Sequence, residues 1–482
     1  MNKIELLIPV VLYLIITISI AYYVSRRENK DNFTESYFIG NRSMGAFVLA
    51  MTVVSTYIGA SSFLGGPSIA YKLGLGWVLL ACIQIPLIFF TLGVLGKKIA
   101  IISRKIKAVT LIDILRKRYN NEVLIILLSV LMLVFLFASI IAQFIGGARL
   151  IESIIDIDYK IALTIFVFTV IFYTTIGGFK AVTITDAIQG LIMMVSTLIL
   201  FIVIVKKVGS MSEITATIKN LDPNLLTPDA GGAISRPYIL SFWILVGIGI
   251  LGLPATTVRS MGYKNSKALH NGMIIGTFVV GFLLIGMHLV GFMGRAIEPN
   301  IDVSDKLIPI LALKNLHPIV AGVFIGGPLA AIMSTVDSLL ILISSSIVKD
   351  LYLNYVDKNA NDKKLKKISL IITIGIGLIT YVLSINPPSL IVWVNLFALA
   401  GQEVLFFVPV FMGLYWRRGN DMGAIASVIV GFIVFILLEN FKISIFGLMN
   451  IVPSLTCALI AYVVVSLLTK ETDKEILDLF FD

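Results

Sequence analysis

Ser55-Thr-Tyr-Ile-Gly-Ala-Ser-Ser-Phe-Leu-Gly-Gly-Pro67 interrupts an otherwise apolar run. Five polar side chains, Ser55, Thr56, Tyr57, Ser61 and Ser62, lie among glycines, and the stretch ends on a proline. Glycine and proline release backbone groups from the helical ladder. In lipid such groups are tolerated only where they line a cavity or are satisfied by neighbours. A second passage, Gly247-Ile-Gly-Ile-Leu-Gly-Leu-Pro254, repeats the pattern. Close helix packing is the other reading of such glycines, and it suits Gly272 and Gly276 best.

The surroundings of both passages are membrane-like. Of 482 residues 58% are hydrophobic and only 14% charged, where a soluble chain carries roughly a quarter. Mean hydropathy is +0.99. A transmembrane helix needs about 20 mostly apolar residues. Thirteen segments qualify: 4–24, 45–70, 73–97, 122–150, 160–177, 183–206, 238–258, 271–294, 317–347, 368–385, 389–415, 421–440 and 447–468. They are numbered 1 to 13 below. The expected class is an all-α polytopic membrane protein forming one domain over 1–482, in which 1–30 carries an extra N-terminal span and 421–468 two C-terminal ones. Segment 1 has Lys3 before it, Arg26 and Arg27 after it, and no small-residue cleavage site. It reads as a retained span with the N-terminus outside.

Alternating the loops from that start places 26 Lys/Arg inside and 12 outside, out of 38. Dense inner clusters include Arg116, Lys117, Arg118 and Lys363, Lys364, Lys366, Lys367. The net charge of +10 is thereby read as cytoplasmic loops, not as a nucleic-acid surface, and the C-terminus falls in the cytoplasm. Segment 207–237 is expected to be an outer connector, 350–367 a charged linker, and the tail after 469 a frayed helix. Cys82 and Cys457 read as buried thiols, and His270, His288 and His317 do not cluster as metal ligands do. The sequence has no GxxxxGK[ST] phosphate loop, no HExxH and no pair of aspartates within spans, so neither ATP-driven pumping nor intramembrane enzymology is indicated. A channel remains as a rival to a carrier.

Segments 2 and 7 are five apart. Two five-span units in succession must have inverted topologies, and interrupted helices at matching places in inverted halves point to a transporter site at the midplane. In segment 2 the inner half would end near Ser55 to Ile58 with free carbonyls suited to sodium. The outer half would begin near Ser61 with free amides suited to a carboxylate, capped by Ser61 and Ser62. Segment 9 contributes Gly326-Gly-Pro-Leu-Ala-Ala-Ile-Met-Ser-Thr-Val-Asp-Ser338, in which Ala331, Ser334 and Thr335 share a helix face. Their hydroxyls either bond back along their own helix or complete a hard oxygen site for an alkali cation.

Further stretches carry a family likeness: Tyr37-Phe-Ile-Gly-Asn-Arg-Ser-Met44, Ala60-Ser-Ser-Phe-Leu-Gly-Gly-Pro67, Gly74-Leu-Gly-Trp-Val-Leu-Leu-Ala81, Gln143-Phe-Ile-Gly-Gly-Ala-Arg-Leu150, Ala330-Ala-Ile-Met-Ser-Thr335 and Lys349-Asp-Leu-Tyr352. Together they resemble the sodium:solute symporter family, and within it the branch that carries pantothenate. The resemblance implies a leucine-transporter-like fold of two inverted five-span repeats with broken helices, over 45–206 and 238–415. It also implies a multi-pass protein of the cell membrane with sodium as coupling ion and no other cofactor. Its sodium ligands would be backbone oxygens of Ser55, Ile58 and Ala331 with the hydroxyls of Ser334 and Thr335. Asp186 matches a position linked to cytoplasmic sodium release, or is an ordinary acid at a helix N-terminus. Some relatives have an acid where this chain has Tyr57, which turns Tyr57 toward the substrate. With Tyr57, Ser61 and Ser62, the polar or amphipathic groups Gln143, Trp243, Asn395, Gln402 and Glu403 are candidate contacts for pantothenate or another small organic anion, or else bond between helices. Proline, a monocarboxylate or a sugar are the alternative cargoes.

Overall fold

In the computed structural model, residues 3–26, 39, 42–176, 179–387 and 390–481 are described. Arg27, the motif residues Tyr37, Phe38, Gly40 and Asn41, and Gly177-Gly178 lie outside the described residues. The described residues are mainly helical, and among them the β-type pairing is an isolated bridge between Met44 and Tyr263.

Among the described residues ten helices are long and apolar enough to cross a bilayer. Two bent pairs pass the same test together, Ala46–Tyr57 with Ser61–Leu73 at 69° and Arg236–Gly252 with Pro254–Gly262 at 44°. These are the two passages that the glycines and prolines singled out. The helix Tyr159–Thr175 is apolar but shorter. Segment 9, the helix Pro318–Ser345, is the hub: every residue from Phe324 to Ser345 is buried. It packs against segments 1, 2, 4, 5, 6 and 10. A helix enclosed on all sides has no amphipathic stripe to read, because all of its faces meet protein.

Close backbone approach explains several glycines. A Cβ on Gly272 would lie 3.1 Å from Leu49 Cδ2, and one on Gly276 would lie 2.7 Å from Ile88 Cγ2, so the packing reading holds for both. The Met44–Tyr263 bridge, through Met44 N–H to Gly262 O (3.0 Å) and Lys264 N–H to Met44 O (3.0 Å), ties the start of segment 2 to the end of segment 7. Two helices joined start to end in this way run in opposite senses.

Three connecting regions are more ordered than their composition suggests. The connector 207–237 contains the helix Met211–Leu221, started by a Ser210/Glu213 capping box. In the charged linker, helix continues as a wide π turn over Ser346–Val356, and the next helix begins at Asp362. The tail is not frayed: Lys474–Phe481 is helical and Phe480 is buried. The cations of Lys98 and Arg118 lie over the Phe481 ring, so the tail is docked by cation–π contact. Cys82 and Cys457 are free and partly exposed instead of buried.

Arg118 packs against that tail helix. It is 1% exposed and reaches carbonyls at and just past the end of segment 11. Its Nε donates to Gly413 O (2.7 Å) and its guanidinium to Gly419 O (2.8 Å) and Trp416 O (3.4 Å). Removing it strands Gly413 O, whereas Trp416 O and Gly419 O keep the Gly419 N–H (3.2 Å) and Thr472 Oγ1 (3.1 Å) as donors. Arg118→Met is expected to cost roughly 1–3 kcal/mol, read as a lowered midpoint of denaturant unfolding in mixed micelles. Arg118→Lys should restore only part of this, since an ammonium lacks the planar fork. An unshifted midpoint in both variants would show that the Gly413 carbonyl needs no partner.

Candidate functional site

The break in segment 2 centres on Gly59. The inner half closes with Ile58, whose φ and ψ of −80° and 102° are extended, while its N–H still bonds to Val54 O at 2.8 Å. A Cβ at Gly59 would stand 2.5 Å from Gln143 Oε1 and 2.9 Å from Thr335 Oγ1, so only glycine fits. On the outer side the amides of Ser62 and Phe63 return to Gly59 O at 3.1 Å each, and the amide of Ala60 donates to Gln143 Oε1 at 2.7 Å. This corrects two expectations. Ser61 and Ser62 make no side-chain cap, and these three amides are not bare. A buried amide cannot be left unpaired, so the chain supplies its own acceptors, and Ser61 Oγ takes a bond from Asn395 Nδ2 at 3.0 Å instead.

On the carbonyl side the five sodium candidates converge. Ser334 Oγ donates to Ser55 O (2.9 Å) and Ala331 O (3.1 Å). Thr335 Oγ1 reaches Ser55 O (3.1 Å), Ile58 O (3.3 Å) and Ala331 O (2.9 Å). All five residues are buried. The i, i+3, i+4 spacing on segment 9 lays both hydroxyls across the ends of the inner half of segment 2. Five uncharged hard oxygens of this kind fit a monovalent alkali cation: the hydroxyl protons turn away and their lone pairs join the carbonyls. Among the described residues no group of three or more His, Cys, Asp or Glu could hold a metal ion.

Asp186 is no surface acid at a helix start. It lies two turns into the helix Phe179–Val208 and is fully buried. Its Oδ2 accepts from Thr52 Oγ1 at 2.7 Å and stands 3.7 Å from the guanidinium of Arg259. Arg259, on the inner half of segment 7, also donates to Thr56 Oγ1 (3.1 Å) and Ser338 Oγ (2.5 Å). Ser55 Oγ donates to the Asp186 carbonyl at 2.9 Å, which joins this network to the oxygen set. Arg259 escaped the sequence reading because segment 7 was drawn to end at 258. Asp337 is buried as well and accepts from Thr174 Oγ1, so two aspartates, Asp186 and Asp337, do lie within spans, against the expectation of none. An acid within a span is costly enough to be a signal in itself.

Above the break lies a cavity lined by Tyr57, Ser61, Ser62, Gln143, Asn395 and Gln402, six of the candidate contacts. Tyr57 Oη donates to Gln84 Oε1 (2.5 Å), and Gln402 Nε2 donates to Ser139 Oγ (3.1 Å). Trp77, Gln84, Phe242 and His288 line it too and were not singled out. Gln84 sits just before Pro86 in an apolar run, the same kind of interruption that marked segments 2 and 7. Two candidates are corrected. Trp243 is 50% exposed on the outer surface; one residue along a helix is a turn of about 100°, and Phe242 takes the inward place. Glu403 is fully buried but does not line the cavity. It packs on the break of segment 7, where its Oε2 is 2.1 Å from the place of a Gly249 Cβ, and neither of its oxygens has a hydrogen-bond partner.

Comparison with known proteins gives this geometry a family. Residues 37–431 match the sodium:solute symporter family. The chain is 47% identical over 461 residues to the sodium/pantothenate symporter of Haemophilus influenzae, with 95% of each chain covered. It is 45% identical over 464 residues to the sodium/pantothenate symporter of Escherichia coli, with 96% of each covered. An osmoregulated proline transporter of Bacillus subtilis is 30% identical over 492 residues, with 99% of this chain and 98% of that one covered. A solved structure of a Na+-coupled sialic acid symporter superposes with a TM-score of 0.79 at 19% identity, covering 96% of this chain and 98% of that one, which shows a shared fold. The chain belongs to the sodium:solute symporter family.

Proposed function

We propose that this chain is a sodium-coupled symporter that imports pantothenate by alternating access. The observation that carries the reading is the meeting of five uncharged oxygens, from Ser55, Ile58, Ala331, Ser334 and Thr335, at a helix break that opens on a polar cavity. The cargo is inferred from the two sodium/pantothenate symporters, at 45% and 47% identity, against 30% for a proline carrier.

The proposed architecture has thirteen spans: the ten long helices, the two bent pairs and Tyr159–Thr175. Segments 2–6 and 7–11 form two inverted repeats. The opposed senses of segments 2 and 7 at the Met44–Tyr263 bridge support this. The N-terminus lies outside and the C-terminus in the cytoplasm of the cell membrane, in accord with the 26 to 12 split of Lys/Arg.

In the proposed cycle sodium enters from outside and binds between segments 2 and 9. Its ligands come from both, so it draws the two helices together and fixes the break. Pantothenate then settles in the cavity against the break, with Tyr57, Ser61, Ser62, Gln143 and Gln402 as contacts. Rocking of one bundle on the other opens the site inward. Asp186, one hydrogen bond from Ser55, receives the departing sodium when the Arg259 pair loosens.

A sodium jump imposed on vesicles should drive accumulation of labelled pantothenate. Uptake that ignores sodium, or that unlabelled proline blocks and pantothenate does not, would sink the proposal. Ser334→Ala and Thr335→Ala should each raise the sodium needed for half-maximal uptake about tenfold, the effect of roughly 1.4 kcal/mol; unchanged sodium dependence in both removes the segment 9 site. One sodium carried with one monoanion moves no net charge, so substrate should evoke no current in proteoliposomes, and a steady current rejects that stoichiometry.

A further inference from the structure

The amide of Ala60 leads the outer half of segment 2, and it is already engaged by Gln143 Oε1 at 2.7 Å. A backbone N–H can only donate, so the carboxamide of Gln143 has one permitted orientation. Its oxygen faces the break and its NH2 faces away. Gln143 is 1% exposed and lines the cavity, and among the described residues Ala60 is its hydrogen-bond partner. Two donor protons are thus held ready at the cavity wall. The same Oε1 flanks Gly59 together with Thr335 Oγ1, at 2.5 and 2.9 Å from the place of a Cβ, so the carboxamide rests against the proposed sodium ligands. The described residues lining the cavity include no Lys and no Arg. An anion bound there must be met by neutral donors.

We infer that Gln143 is the group that recognises the substrate's carboxylate, acting as a relay between the break and the anion. The Ala60 amide pulls on the carboxamide oxygen, and the polarised NH2 donates to the carboxylate. Hydrogen bonds in such a chain strengthen one another. The helix-end dipole therefore reaches the anion through a side chain, and selection of acid over neutral analogue resides at Gln143. This rests on the reading that the cargo is pantothenate.

The probe is pantothenol, in which the carboxylate is replaced by a primary alcohol. Gln143→Glu keeps the shape and still accepts from Ala60 N–H, but sets a negative oxygen where the NH2 stood. Expected in Q143E is a loss of apparent pantothenate affinity of about 100-fold, with pantothenol affinity changed by less than about threefold. Affinities are read by competition in uptake and by ligand-induced thermal stabilisation in detergent, so a variant that binds without transporting still reports. Gln143→Met, near in size with neither donor nor acceptor, replaces Q143E if that variant does not fold, and should likewise lose the acid preference. Equal losses for both ligands, or a preference for the acid kept in the variant, overturns the inference. Wild-type protein that takes up no pantothenate sinks the cargo assignment instead.

Discussion

A peptide chain that leaves its helix within a bilayer has no water to repair the damage, and every freed group must find a partner in the protein. At Gly59 this constraint determines the neighbourhood. The carbonyls of Ser55 and Ile58 are met by hydroxyls from segment 9, and the amide of Ala60 is met by a carboxamide from segment 4. Three helices distant in sequence are therefore pinned to one interruption. The hydroxyl protons supply the positive charge that these carbonyls need, and in the proposed cycle sodium takes their place.

The charges around this centre follow a different rule. Asp186 and Arg259 are both buried, and each compensates the other with help from Thr52, Thr56 and Ser338. Such a pair contributes little to stability over a well-packed apolar substitute, whereas removing one partner strands the other at a cost of several kcal/mol. Arg259 belongs to the inner half of segment 7, while Thr52 and Thr56 belong to the inner half of segment 2. The network thus fastens the two broken helices to each other, on the side that faces the cytoplasm in the proposed cycle. Any inward opening that separates them must break these bonds first.

Much of this was legible in the sequence, for reasons that also mark where legibility ends. The breaks announce themselves through Gly and Pro, and Ser334 and Thr335 share a face by spacing alone. Contact across segments is another matter. Nothing near Gln143 in the chain tells that its carbonyl lies on Ala60, 83 residues away. Apolar segments also carry no phase: with lipid on one side and protein on the other, both faces are hydrophobic. The pattern therefore does not tell Trp243 from Phe242 or Glu403 from Gln402, and it is Phe242 and Gln402 that line the cavity. Arg259 lies one residue past the apolar run, where hydropathy alone gives no span. Order in the tail depends on Arg118, whose partners Gly413 and Gly419 lie some 300 residues away in sequence, so composition alone reads that tail as loose.

The absence of formal charge in the proposed sodium set and, among the described residues, of any cation on the cavity wall gives coupling a simple physical origin. Asp186 is next in line, but its charge is spent on Arg259. Sodium therefore has no fixed counter-charge beside it, and neither has the carboxylate. Each supplies the other's. At a separation of roughly 6 Å and an effective dielectric constant near 20, opposite unit charges attract by about 3 kcal/mol, which is about 100-fold in affinity. Such a coupling is reciprocal: sodium strengthens the anion's binding by the same factor by which the anion strengthens sodium's. An acid in place of Tyr57 would hold sodium without any cargo and weaken this dependence. A neutral site suits an anionic cargo because it leaves the attraction to be supplied by the substrate itself.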